Sequence, residues 1–141
     1  MFLNILVAVD GSPSSRRALA HGIDLARAGN AKLTLITVAP PVATYSTLGG
    51  VTGTTMRTEL DKWAAGVLAE ALDVVPEDVI AHKIQPTGDA GPEIVKELER
   101  GAYDLVVLGS RGRGRAQEGL LGSVNGYVHF HSRVPLLSVP E

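Results

Sequence analysis

The chain has 141 residues, 45% hydrophobic and 20% charged, which suits one domain with a substantial core and excludes a disordered chain. Thirteen basic against fifteen acidic residues give a net charge of -2, so there is no global attraction to nucleic acid or to an anionic membrane. There is no cysteine, which excludes disulfides, thiolate metal ligands and thiol catalysis.

The opening MFLNILVAVDGS lacks the basic start of a signal peptide, and Asp10 ends its apolar run. It is predicted to be a buried first strand over residues 4–9. In GSPSSRRALAHGIDLARAG, Ser12 suits a helix cap, Pro13 the first helical position and Gly29 the helix end. Ala18, Leu19, Gly22, Ile23 and Ala26 form one small apolar stripe. AKLTLITVA is a second strand. Residues 40–55 have no period and are rich in turn and hydroxyl residues, a connection longer than compact domains commonly use.

Met56, Leu60, Trp63, Ala64, Val67 and Ala71 then recur at helical spacing, which predicts a second helix with Trp63 in the core. VIAHKIQ is a third strand with one face partly open. TGDAGPEIVKELERG is a third helix, with Asp89 as its cap and Gly101 as its end signal. YDLVVLG is a fourth strand. SVNGYVHFHSR reads as a fourth helix with Val124, Tyr127, Val128 and His131 on one face, weakened by Gly126. VPLLSV is a fifth strand with Pro135 at its start.

Strands and helices alternate throughout, which predicts a single α/β domain over residues 1–141 with a parallel sheet covered on both faces. The chain is too short for an eight-stranded barrel. No stretch approaches the roughly 20 apolar residues of a membrane span. Ligands of open α/β sheets bind beyond the carboxyl ends of the strands. That rule selects Asp10, Val38 and Ala39, Gly88 and Asp89, and the segment from Gly109 onward.

The last of these, GSRGRGRAQEGLLGS, fits neither a Walker A loop nor the dinucleotide fingerprint. Its physical content is nonetheless that of an anion site. Gly122 and Ser123 stand at the expected start of the fourth helix, where unpaired N–H groups and the helix dipole favour a phosphate. Gly109 and Gly112 allow close approach of backbone to a ligand. Arg111, Arg113 and Arg115 add positive charge. The competing reading is that the glycines make turns and the arginines solvate the surface. Nucleic-acid binding by the arginine–glycine alternation is disfavoured by the scarcity of nearby aromatics and the overall charge.

Together these segments resemble a universal stress protein of the UspA type. ILVAVDGSPSSRRAL resembles the family's opening strand and helix, and TGDAGPEIVKELERGAYDLVVLGSRGRG with LLGSVNGYV and SRVPLLSV resembles its second half. Gly109, Gly112, Gly122 and Ser123 match the family's G-2x-G-9x-G-[ST] nucleotide signature. The resemblance implies a five-stranded parallel sheet of order 3-2-1-4-5 and a cytoplasmic homodimer formed through the last strand. It also implies binding of ATP or another adenine nucleotide such as cyclic AMP, with Mg²⁺ as a candidate companion, and action in stress response through a protein partner that the sequence does not name. By the same resemblance, Asp10 contacts the nucleoside and Val38 lies beside the adenine, with the backbone near Ala8 and Val9. Leu108 and Gly109 border the nucleoside, Gly112 lies in the ribose–phosphate loop, and Gly122, Ser123 and Val124 hold phosphates.

Chemistry restricts Asp10 further. A carboxylate beside a phosphate is costly, so its partner is a hydroxyl or base N–H, a water-bridged Mg²⁺, or simply its own turn. No residue set specifies a catalytic apparatus for ATP hydrolysis, so a slow ATPase or a ligand-free interaction protein are the alternatives to a binding module. His129 and His131 are two apart, which on a helix points them in different directions, and no third metal ligand is evident.

Overall fold

The computed structural model describes residues 1–45, 53–110 and 123–141. In chain order they form β1 (Asn4–Ala8), α1 (Pro13–Gly29), β2 (Lys32–Ile36), a single 3₁₀ turn (Val42–Tyr45), α2 (Gly53–Asp73), β3 (Ala81–Ile84), α3 (Ala90–Arg100), β4 (Leu105–Gly109), α4 (Ser123–His131) and β5 (Leu136–Val139). The strands make one parallel sheet in the order β3-β2-β1-β4-β5. This is the predicted α/β architecture and the strand order that the family resemblance implied.

Each face of the sheet has its own apolar layer. Ala18, Leu19, Ile23 and Ala26 of α1, with Leu68 and Ala71 of α2, cover Ile5, Val7, Leu33, Leu35 and Val107. Ile94, Val95 and Leu98 of α3, with Val128 of α4, cover Leu6, Ile36, Val106 and Leu108. Strand residues alternate between the two layers, as the two-residue period of a pleated strand requires. β3 is the exposed edge, and His82 and Lys83 on it are open to solvent.

Helix α1 begins as its sequence predicts, with the Ser15 N–H donating to the Ser12 Oγ at 3.2 Å and Pro13 in its first turn. Its end differs in mechanism. Asn30 takes the left-handed conformation at φ 53°, and its N–H reaches the carbonyls of Ala26 and Arg27. Gly29 is instead required by space, since a Cβ there would lie 2.7 Å from the Phe2 carbonyl oxygen. Gly101 ends α3 with φ -95°, and a Cβ there would run into the ring of Tyr103. Asp89 occupies the cap position of α3 but makes no side-chain capping bond. Helix α2 starts at Gly53, ahead of the predicted Met56, and buries Ala64, Leu68 and Ala71. Trp63 and Val67 are half-buried, so Trp63 is not the core residue its helical spacing predicted.

The amino end of the β1/β4 pair is closed by polar bonds. The Asp104 carboxylate accepts the N–H groups of Leu3 at 2.8 Å and Asn4 at 3.0 Å, and Asn4 Nδ2 donates to the Ala102 carbonyl at 3.0 Å. Nearby, the buried Glu97 carboxylate accepts the Tyr103 hydroxyl at 2.7 Å and the Arg100 guanidinium. Burial, then the bond to Glu97, push the Tyr103 phenol up to about 12. The bond to Glu97 also raises the Arg100 guanidinium above its ordinary value.

Candidate functional site

The sheet grows from β1 through β2 to β3, and the chain then crosses back to place β4 on the other side of β1. At this reversal a crevice of about 470 Å³ opens beyond the carboxyl ends of the strands. Small-molecule sites of α/β sheets occupy this place and typically measure roughly 300–1,000 Å³.

The structure brings Ala8, Val9, Asp10, Val38, Leu108, Gly109, Ser123 and Val124 together in the lining of this crevice. Gly112 and Gly122, with Arg111, Arg113 and Arg115, lie outside the described residues. The Asp10 Oδ1 accepts the Ser12 N–H at 2.9 Å, and the Asp10 N–H donates to Ser15 Oγ at 3.2 Å. Gly11 between them has φ 83°, a conformation that glycine adopts without strain. Asp10 therefore holds its own turn, one of the roles weighed for it from sequence, and it also stands in the crevice wall.

Gly109 closes β4 against the start of α1. A Cβ at this position would come within 2.8 Å of the Ser14 carbonyl carbon and the Ser15 nitrogen, so no other residue fits without moving backbone. Helix α4 opens on the crevice with Ser123, and its N-terminal dipole points positive charge into the space.

Several lining residues escaped the sequence reading. Asn125 is buried, and its Nδ2 donates to the Gly109 carbonyl at 3.2 Å and to Ser138 Oγ at 3.0 Å. It thereby ties the first turn of α4 to β4 and β5. Its spacing of three from the buried Val128 was the available signal. Tyr127 lines the crevice and packs on Gly91, where a Cβ would lie 2.9 Å from its ring. The same ring stacks on His131 with centroids 3.9 Å apart. Pro40 and Trp63 line the crevice on the α2 side, and Asp89, already selected from sequence as a strand-end residue, lines it as well. Among the described lining residues, Asp10 and Asp89 carry the only side-chain charges. Among the described residues there is no cluster of three side chains suited to a metal ion.

The family model described as the universal stress protein family matches residues 1–140. This chain belongs to the universal stress protein family. Universal stress protein YxiE of Bacillus subtilis (strain 168) is 33% identical over 147 residues, covering 99% of each chain. The solved structure of the protein MJ0577 superposes with a TM-score of 0.85 at 24% identity, covering 100% of this chain and 97% of that one. At that identity the likeness is one of fold. A universal stress protein solved in complex with cAMP superposes with a TM-score of 0.69 at 27% identity, covering 98% of this chain and 97% of that one. The stress-protein fold thus extends over the whole described chain, and no described helix is long and apolar enough to cross a membrane.

Proposed function

We propose that this universal stress protein binds an adenine nucleotide, ATP foremost, in the crevice at the sheet reversal, and that it acts in the cytoplasm as a nucleotide-dependent stress-response module. The observation that carries this reading is the meeting of Asp10 and the Ser123 end of α4 in one concavity of nucleotide size. A carboxylate suits the ribose hydroxyls, and a helix N-terminus with a hydroxyl suits a phosphate. The G-2x-G-9x-G-S spacing from Gly109 to Ser123 supports it, as does the cAMP bound by the related protein. Because the described lining is acidic, the charge of a triphosphate would be offset by α4, by the arginines of residues 111–115 and by Mg²⁺ travelling with ATP.

Calorimetric titration of ATP tests this reading. The wild-type chain is expected to bind, Gly122→Lys to lose binding with its circular dichroism unchanged, and Ser123→Ala to weaken it about fivefold, the worth of one hydrogen bond. Absence of ATP and cAMP binding by the wild type would sink the proposal. We further propose that a second copy pairs along β5, the opposite edge of the sheet, where Leu136 and Leu137 are half-exposed. A monomer mass in light scattering at high concentration would count against it.

A further inference from the structure

The two faces of the sheet are covered differently. On one, α3 and α4 pack directly against each other. On the other, α1 and α2 lie over the core but leave a cavity of about 530 Å³ between them. Its volume falls within the roughly 300–1,000 Å³ of small-molecule sites. Among the described residues it shares only Val9 and Ser15 with the strand-end crevice, so it is a separate space on the other side of the β1–α1 turn.

The gap follows from residue size. Gly11, Ala20 and Ala71 line it, and side chains this short leave room between neighbouring helices that protein interiors ordinarily fill. The buried Leu19, Ile23 and Ala71 form its floor, and Val74, 60% exposed, stands at its mouth. Both helices lead from the carboxyl end of one strand to the amino end of the next on the same face, so they run in the same direction. Val67 closes one end of the cavity against Gly11, where an added Cβ would lie 3.7 Å from Val67 Cγ2. Arg16, near the start of α1, belongs to this end. Asp24 lies about 12 Å further along α1, roughly two helical turns. Glu70 and Val74 follow Val67 toward the same far end.

The cavity is therefore electrically polar along its length. Its far end holds two carboxylates, Asp24 and Glu70. Helix α2 also ends there, at Asp73, with no basic residue in its last turn, so its carbonyl end adds to the negative potential. Arg16, Asp24 and Glu70 form no ion pair with another described residue. A cation at the far end relieves this crowding of negative charge, and Arg16 repels a cation from the near end. The apolar floor between them accepts a hydrocarbon body. We propose that the α1–α2 cavity binds a small amphipathic cation, an alkyl or arylalkyl amine, with its ammonium group at the Asp24 and Glu70 end and its body along Leu19, Ile23 and Ala71. This site is independent of the nucleotide reading.

The test titrates the full chain, without nucleotide, with 4-phenylbutylamine, 4-phenylbutanol and 4-phenylbutyrate, followed by amide NMR shifts. The amine is expected to bind with the roughly millimolar affinity of a ligand of about eleven non-hydrogen atoms. Its shifts should centre on Leu19, Ile23, Val67 and Ala71 and saturate together. The neutral alcohol should shift the same amides about fivefold more weakly, the worth of one rim-exposed charge contact, and the carboxylate more weakly still. The amine's advantage should shrink at high salt. Ala20→Trp, at an exposed position of the lining, should abolish binding of all three while the circular dichroism stays unchanged. Asp24→Asn with Glu70→Gln should bring the amine down to the affinity of the alcohol. Shifts that do not saturate, or that saturate only at crevice residues such as Asp10 and Ser123, overturn the inference. So does amine binding that Ala20→Trp leaves intact. Equal binding of amine and alcohol, a preference for the carboxylate, or an amine preference that survives Asp24→Asn with Glu70→Gln overturns the assignment of a cationic ligand.

Discussion

At the amino end of the β1/β4 pair, Asp104 directs both carboxylate oxygens at the backbone N–H groups of Leu3 and Asn4. At the carboxyl end of the same pair, Asp10 steadies the turn into α1 while standing in the wall of a concavity. The two aspartates follow or precede neighbouring strands of one sheet, yet they face opposite demands. The amino end joins chain to chain, so its polar groups find partners within the protein. The carboxyl end is where strands stop and helices begin, so its polar groups line a space. A carboxylate that seals backbone should govern stability, and one that lines the crevice should govern binding.

The sharpest separation is expected from Asp104→Ala. Loss of two hydrogen bonds to an ionised acceptor should lower the unfolding free energy by roughly 2–4 kcal/mol, measured in urea, with ATP affinity unchanged. An affinity that falls in step with stability would erase the contrast. Asn125→Ala breaks the division from the other side, because one buried side chain serves both purposes. It should cost about 1–3 kcal/mol and also weaken ATP, since the first turn of α4 loses its tie to β4. The smallest effect concerns Tyr103, whose phenol is pushed up to about 12 from an ordinary 10. The unfolded chain then releases this proton first. The stability it contributes is complete below pH 10 and is lost as pH rises toward 12. Tyr103→Phe should flatten that alkaline decline in unfolding midpoint without touching the crevice.

The architecture was legible because each element announces its period and its punctuation. Asn4–Ala8 is a continuous apolar run, Ser12-Pro13 starts α1, and the alternation of strands and helices admits a parallel sheet. The crevice-lining set around Asp10, Val38, Gly109 and Ser123 was legible because strand ends are where such sheets receive ligands. What escaped are residues whose type fits two environments. An indole at helical spacing suits a core and a cavity wall equally, so Trp63 was placed inward. An asparagine in a first helical turn suits solvent, and only the close approach of β4 and β5 makes Asn125 a buried bridge. Asp89, selected from sequence both as a cap and as a strand-end residue, lines the crevice but lacks the capping bond. Gly29, beside the Asn30 cap, and Gly101 make room for Phe2 and Tyr103, a tertiary demand that no local pattern records.

The bonds at the end of β4 and the start of α4 have a mechanical consequence. The Ser110 N–H is bonded to the Val139 carbonyl at 2.8 Å, and Asn125 clasps the Gly109 carbonyl, so the points where the chain departs and returns are joined by the core itself. The two described ends of the site, Gly109 and Ser123, thus keep their separation as a property of the core, held by β4, β5 and Asn125.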